Sequence, residues 1–274
     1  MANNAYFGEN CDVSAILFDL DNTLIQTRKG DTRACNKLVE TLQQQYGLPQ
    51  EDAVESGKKF LRSFRACPDD ESYALDEWPE LLWRNSLPKS FRHIAKNIST
   101  EWIKLRFQCL ALANDVVHLL ESLREDYLLG LITNGPSRAQ WQKIQKLDLR
   151  KYFDCVLVSG DLPWEKPDQH IFLEACKLLA VEPRVCIMVG DKLETDIMVS
   201  STLHSFSLYF YPFRIYNGTR TWHYNYYVSY SVKDSDSDGD LVMGFCSACL
   251  RTGYCSIFRF WLSVSPERKQ KITM

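Results

Sequence analysis

The chain has 274 residues, of which 45% are hydrophobic and 24% charged, and its formal net charge is −3. These values are typical of one large or two modest globular domains. The small negative charge argues against nucleic acid or an anionic membrane surface as a partner. No uncharged apolar run reaches the roughly 18 residues of a membrane span. The ten cysteines are scattered, so we expect reduced thiols in a cytoplasmic protein without a signal peptide.

The first part of the chain predicts one strand followed by a helical segment. An unbroken apolar run at Ala15–Leu20 is typical of a strand that is buried on both faces. From Arg28 to about Leu112 no strand pattern occurs, and apolar residues recur at helical spacing. Four helices are predicted there, at Asp31–Tyr46, Gln50–Ala66, Glu77–Ser86 and Ile98–Ala111. Their core is predicted to contain Trp78, Trp83 and Trp102.

Strands and helices alternate after residue 112. Strands are predicted at Leu128–Thr133, Cys155–Ser159 and Cys186–Gly190, and helices at Asp115–Glu125, Ser137–Leu147 and Asp168–Ala180. This alternation predicts an α/β fold in which helices cover both faces of a parallel sheet. The predicted organisation is a discontinuous core of residues 1–28 and 112–199, an inserted helical domain of residues 29–111, and an atypical tail of residues 200–274.

Four short polar segments stand at the ends of these predicted elements. Asp19-Leu20-Asp21-Asn22-Thr23 follows the first strand, Thr133-Asn134 ends the second, Glu165-Lys166-Pro167 precedes a helix, and Gly190-Asp191 ends the last strand. Ligands bind outside the carboxyl ends of the strands in open parallel sheets, so we expect these segments to converge on one crevice. Each segment alone also has a plain structural interpretation, as a turn, a helix start or a solvated lysine.

In this order, the strings FDLDNTLIQT, LITNG, EKP and MVGDKLETDI resemble the motifs of the haloacid dehalogenase superfamily of phosphohydrolases. The resemblance runs from about Ser14 to Ile197. It implies a Rossmann-like core with an inserted helical cap that reads the substrate. It also implies Mg²⁺-dependent hydrolysis of a small phosphorylated molecule. A sugar phosphate is the leading interpretation of that substrate, and a nucleotide or phosphoglycolate is the alternative. The resemblance gives no information about the oligomeric state.

The resemblance implies catalytic roles for the two aspartates after the first strand. Asp19 is expected to be the nucleophile that forms an aspartyl-phosphate intermediate. Asp21 is expected to protonate the leaving alcohol and then to activate water. Mg²⁺ is expected to bind the side chains of Asp19 and Asp191 and the backbone carbonyl of Asp21.

The remaining site residues are expected to hold the phosphoryl group. Thr133 and Asn134 lie between a strand and a helix start, where a hydroxyl and free N–H groups can bind phosphoryl oxygens. Lys166 is expected to stabilise both the nucleophile and the phosphoryl group. For Asp196 two interpretations stay open: it orients the metal's waters or Lys166, or it is a carboxylate at a helix N-terminus.

Substrate choice is expected to lie in the helical segment. Four basic residues there could meet a second anionic group of the substrate, and a solvated helix face is the alternative. These residues are Lys58, Lys59, Arg62 and Arg65.

The resemblance ends at Ile197, and eight of the thirteen tyrosines lie between Tyr209 and Tyr254. Such a change of composition suggests an alternative reading frame from about Met198, and hence an inactive or regulatory form as a further alternative. The aromatic segment Phe206–Tyr216 could replace the missing strand beside Asp191. Asp234–Gly239 copies the start of a calcium loop, and Cys246 and Cys249 have zinc-type spacing, but a solvated loop and unpaired thiols are expected.

Overall fold

The structure is a computed structural model that describes residues 13–197, 206–211, 223–230 and 242–249. The described chain divides into two compact units. The sheet unit contains the described residues up to Leu24, Ala113–Asn134 and the described residues from Arg150 onward. The helical unit contains Ile25–Leu112 and Gly135–Leu149. The domain boundaries that we inferred from sequence remain a prediction.

The centre of the sheet is parallel. Its strands are β1 (Ala15–Phe18), β2 (Leu128–Thr133), β3 (Cys155–Val158) and β4 (Cys186–Gly190). They lie side by side in the order β3-β2-β1-β4, and each neighbouring pair is parallel. The residues of β1 and β4 are all buried, as their continuous apolar sequences require. The predicted α/β fold with a parallel sheet is therefore confirmed.

The tail adds strands to this sheet. A fifth strand, β5 (Phe206–Tyr211), pairs in parallel with β4. Two antiparallel strands follow, β6 (His223–Tyr230) and β7 (Val242–Cys249). The hypothesis of a tail strand beside β4 is thus confirmed for residues 206–211, and residues 212–216 lie outside the described chain. Cys246 and Cys249 lie in β7, whereas Asp234–Gly239 lies outside the described residues.

The helices agree closely with the sequence patterns. They are α1 (Thr27–Gln44), α2 (Gln50–Ala66), α3 (Glu77–Ser86), α4 (Ala95–Leu110), α5 (Asn114–Leu123), α6 (Ser137–Lys146) and α7 (Gln169–Leu178). Helix α1 begins four residues before the predicted start at Asp31. Helix α4 is preceded by a 3₁₀-helix at Lys89–Ile94 and begins three residues before the predicted Ile98. None of the described helices is long and apolar enough to cross a membrane.

The helical unit has its own aromatic core. Trp83 and Trp102 are fully buried in it, and Trp78 packs against it, so the prediction for the three tryptophans is confirmed. The ring of Phe60 stacks on Trp83 with 4.0 Å between centroids, a geometry that adds to the burial of apolar area.

The four basic residues considered as substrate readers are all exposed. Lys59 donates through Nζ to the carbonyl of Asn85 at 2.7 Å. Arg65 donates to the carbonyl of Arg28 and to the hydroxyl of Thr32, both at 2.8 Å. Two of the four therefore hold α2 against its neighbours within the helical unit.

The sheet unit packs a second apolar core around β2 and β3. Helix α7 contributes Ile171 and Phe172 to it. Cys155, Cys176 and Cys186 are buried in the same cluster and are not in disulfides. The interpretation of these cysteines as small packed hydrophobes is confirmed.

Candidate active site

The carboxyl ends of β1, β2 and β4 meet at one edge of the sheet. In the parallel register, Phe18 of β1 lies beside Leu131 of β2 and Val189 of β4. Strands β2 and β3 lie on one side of β1 and β4 on the other, so the strand order reverses at β1. Such a switch point opens a crevice at the carboxyl ends of the strands. The polar residues that follow β1 and β4 flank this crevice.

Asp19, the predicted nucleophile, is 7% exposed and is held by two donors. Lys166 Nζ donates to its Oδ1 at 2.6 Å, and Thr23 Oγ1 donates to its Oδ2 at 3.1 Å. Burial raises the pKa of Asp19 to about 6, although the neighbouring ammonium of Lys166 lowers it. The carboxylate is therefore fixed in orientation. The sequence predicts no function for Thr23. Its position in the first motif, four residues after Asp19, is the feature that could have indicated this hydrogen bond.

Asp21 lies two residues further along and is half-buried. Leu20 between the two aspartates is buried. The negative charge of Asp21 is one of the influences that raise the pKa of Asp19. The two carboxylates therefore lie near enough to interact.

Lys166 lies between two carboxylates and is only 3% exposed. Its Nζ lies 2.6 Å from Asp19 Oδ1 and 2.8 Å from Asp196 Oδ1. Burial lowers the pKa of Lys166, but the two carboxylates together raise it above its ordinary value. The side chain is thus a buried ammonium, which excludes the alternative of a solvated loop lysine.

Asp196 is 1% exposed and lies on a single π-helical turn, Leu193–Ile197. Its Oδ1 contacts Lys166, and its Oδ2 accepts a hydrogen bond from the backbone N–H of Lys192 at 3.0 Å. The sequence left two interpretations of Asp196 open. Its contact with Lys166 agrees with the one in which Asp196 orients Lys166.

Thr133 is the last residue of β2, and Asn134 follows it directly. The Thr133 hydroxyl is buried and has no hydrogen-bond partner among the described residues, as is expected of a group that awaits a ligand or water. The Asn134 side chain lies against the backbone of Lys166: its Nδ2 donates to the carbonyl at 2.7 Å, and its Oδ1 accepts from the N–H at 2.9 Å. The sequence did not predict this contact, because no local pattern links positions so far apart.

The site also has the donors for a hard cation. Carboxylate oxygens of Asp19, Asp191 and Asp196 all lie within 4.8 Å of one another. Oxygen ligands of this kind suit Mg²⁺. Asp19 and Asp196 both contact Lys166 as well, and Asp19 and Asp191 are the two side-chain ligands predicted from the sequence. The two predicted side-chain ligands are therefore close enough to share the ion.

Residues 13–199 match the family model of the haloacid dehalogenase-like hydrolases. The chain belongs to this family. The hydrolase is 35% identical over 192 residues to N-acylneuraminate-9-phosphatase of Homo sapiens, a match that covers 68% of this chain and 77% of that protein. It is 34% identical over 190 residues to the Mus musculus protein of the same name, with the same coverage. It is 31% identical over 189 residues to glyceraldehyde 3-phosphate phosphatase of Pyrococcus furiosus, with 68% and 75% covered.

These relationships confirm two predictions from the sequence. The hydrolase is a member of the superfamily whose motifs it resembles. It is also a phosphatase, the enzyme class shared by these relatives.

Gly190 is expected to be essential for the position of Asp196 in this hydrolase. A Cβ atom at position 190 would lie 2.3 Å from Asp196 Oδ2, so Gly190→Ala should displace the carboxylate and weaken its contact with Lys166. We expect a loss of about 1–3 kcal/mol in the free energy of unfolding, measured in urea, together with a large loss of phosphate release.

Gly47→Ala is the matched control for that change. Gly47 has φ +68° and no atom within 4 Å of the added Cβ, so alanine there should cost about 1–2 kcal/mol of backbone strain and leave turnover unchanged. Full turnover by Gly190→Ala would contradict the argument.

Proposed function

We propose that this hydrolase is a Mg²⁺-dependent phosphomonoesterase that forms an aspartyl-phosphate on Asp19. We further propose that it dephosphorylates N-acylneuraminate 9-phosphate in sialic acid synthesis in the cytoplasm. The chemistry is supported above all by one observation. The buried ammonium of Lys166 lies 2.6 Å from Asp19 Oδ1, so a carboxylate that must approach an anionic ester has a fixed positive charge beside it.

In the first step, a carboxylate oxygen of Asp19 attacks phosphorus, and the bond from phosphorus to the ester oxygen breaks. Asp21 gives its proton to the leaving oxygen, which departs as the alcohol. In the second step, Asp21 takes a proton from water, and the water oxygen attacks phosphorus. The bond between phosphorus and the Asp19 oxygen breaks, inorganic phosphate leaves, and the Asp19 carboxylate is restored.

The other residues stabilise charge during both steps. Lys166 and the Thr133 hydroxyl donate hydrogen bonds to phosphoryl oxygens, where negative charge is concentrated. Bound Mg²⁺, held by Asp19, Asp191 and the backbone carbonyl of Asp21, would supply further positive charge to those oxygens.

The substrate proposal depends on the relatives. The human, mouse and rat N-acylneuraminate-9-phosphatases are 34–35% identical to this chain, and the archaeal glyceraldehyde 3-phosphate phosphatases are 27–31% identical over similar lengths. The first group is named for N-acylneuraminate 9-phosphate and the second for glyceraldehyde 3-phosphate. The higher identity favours the sugar acid.

The test is a comparison of kcat/KM on N-acetylneuraminate 9-phosphate, glyceraldehyde 3-phosphate, phosphoglycolate and a nucleoside monophosphate, with Mg²⁺ and with EDTA. We expect the sugar acid phosphate to be preferred by about tenfold or more, which corresponds to about 1.4 kcal/mol, and EDTA to abolish turnover. Preference for another ester would overturn the substrate. A protein that melts cooperatively but releases no phosphate from any ester would support the alternative of an inactive form.

A further inference from the structure

Lys166 is buried within an exposed stretch of chain. Its neighbours Glu165, Pro167 and Asp168 are all exposed, whereas Lys166 itself is 3% exposed. A local turn, in which the Asp168 N–H donates to the Glu165 carbonyl at 2.8 Å, surrounds it. Burial of an ammonium requires closely placed partners, so the backbone that carries Lys166 needs a support outside this stretch.

Asn134 provides such a support. Its carboxamide bonds to both backbone groups of Lys166, through Nδ2 to the carbonyl at 2.7 Å and through Oδ1 to the N–H at 2.9 Å. A carboxamide offers a donor and an acceptor side by side, and two parallel hydrogen bonds to one residue restrict its rotation as well as its position. Asn134 directly follows the last residue of β2, so the support comes from the end of a rigid strand.

We infer that Asn134 is a positioning residue for Lys166. It holds the backbone from which the ammonium reaches Asp19 and Asp196. The sequence pattern instead predicts that Asn134 binds phosphoryl oxygens, and the two roles predict different experimental results. The catalytic part of the inference rests on the proposed function, since Lys166 acts there on the nucleophile and the phosphoryl group. The positional part does not.

The first experiment needs no enzyme activity. The intact protein is acetylated briefly with an N-hydroxysuccinimide ester, and each lysine is quantified by peptide mass spectrometry. Asn134→Ala should increase acetylation of Lys166 about tenfold or more, because a loosened backbone exposes the amine. Asn134→Asp should do the same, because its oxygen replaces the Nδ2 donor opposite the Lys166 carbonyl. Unchanged acetylation of Lys166 in both variants would overturn the inference.

Two lysines serve as internal controls. The Lys177 side chain is 75% exposed and should react equally in all variants. Lys143 is buried on α6 in the helical unit and should stay protected. A rise at Lys143 as large as that at Lys166 would mean general unfolding and would overturn a specific role for Asn134.

The second experiment is a double-mutant cycle on an aryl phosphate. In the wild-type background, Asn134→Ala should lower kcat by about 10–100-fold, as a misplaced catalytic group does. In a Lys166→Met background the same change should cost less than about twofold, because a positioning residue has nothing left to position. Equal losses in both backgrounds would mean that Asn134 acts on the phosphoryl group directly and would overturn the inference. If the wild-type protein releases no phosphate, the proposed function fails and acetylation alone decides the role of Asn134.

Discussion

Asp19→Asn should abolish turnover of phosphate esters while the protein remains folded. The amide nitrogen and oxygen are poor nucleophiles, so no covalent intermediate forms, and loss of a nucleophile lowers kcat by about 10⁴–10⁶-fold in enzymes of known mechanism. The amide oxygen can still accept the hydrogen bond that Lys166 donates to Asp19 Oδ1 at 2.6 Å. Phosphate release measures the loss, and thermal melting measures the fold.

An acid quench during turnover makes this test more specific. The wild-type peptide that contains Asp19 should gain the mass of one phosphoryl group, and the variant peptide should not. Asp52→Asn changes an exposed aspartate of α2 in the same way and should leave turnover and melting unaltered. Residual turnover of more than about a hundredth of the wild-type rate would remove Asp19 from the nucleophile role, since a loss of about 10⁴-fold is expected.

Lys166→Met should be the most destabilising single change in the site. It removes the cation between the buried carboxylates of Asp19 and Asp196, whose oxygens lie 2.6 and 2.8 Å from Nζ. Removal of one partner from a buried ion pair costs about 3–5 kcal/mol, because the remaining charge is buried without compensation. Urea unfolding measures this loss, and turnover should fall with it.

The cost of Lys166→Met should depend on pH. In the native protein burial raises the pKa of Asp19 from 3.8 to about 6, against the opposing effect of Lys166. Without the lysine this pKa rises further. Between pH 3.8 and about 6 the native state binds more protons than the unfolded state in both proteins, so both lose stability alike as pH rises. Above about pH 6 only the variant continues to lose stability, so the gap between wild type and variant should be small below pH 6 and should widen as pH rises above it.

Two further variants complete this test. Lys166→Met combined with Asp196→Asn should recover part of the lost stability, because one of the uncompensated charges is gone. Lys177→Met alters a lysine whose side chain is 75% exposed and should have no effect at any pH. A Lys166→Met loss that is equal at all pH values would contradict the electrostatic explanation.

The sequence predicted the central strands and the residues at their ends for a clear physical reason. Parallel strands buried on both faces are continuous apolar runs, and β2 and β4 have the predicted bounds. Asp19 and Asp191 meet because the parallel register brings the carboxyl ends of β1 and β4 together. Residue type and strand order were sufficient for this part of the site.

The contacts that support the site could not be predicted in this way. The hydrogen bonds between Asn134 and Lys166 join loops that have no periodic pattern, and their geometry depends on the assembled fold. The lack of space for a Cβ atom at Gly190 beside Asp196 arises from a single turn whose shape no composition rule describes. Strand β1 ends at Phe18 rather than at the predicted Leu20. The chain turns in the segment that follows, where Asn22 has a positive φ of 68°.

The arrangement of charges in the carboxylate cluster has a consequence for the kinetics. Asp19, Asp191 and Asp196 bring three carboxylates together, and Lys166 sets one ammonium against them. With all of these groups ionised, the cluster carries an excess of two negative charges. A phosphate ester approaching it alone would be repelled. We therefore expect the cation to bind before the ester, and the ester's apparent affinity should follow the cation concentration.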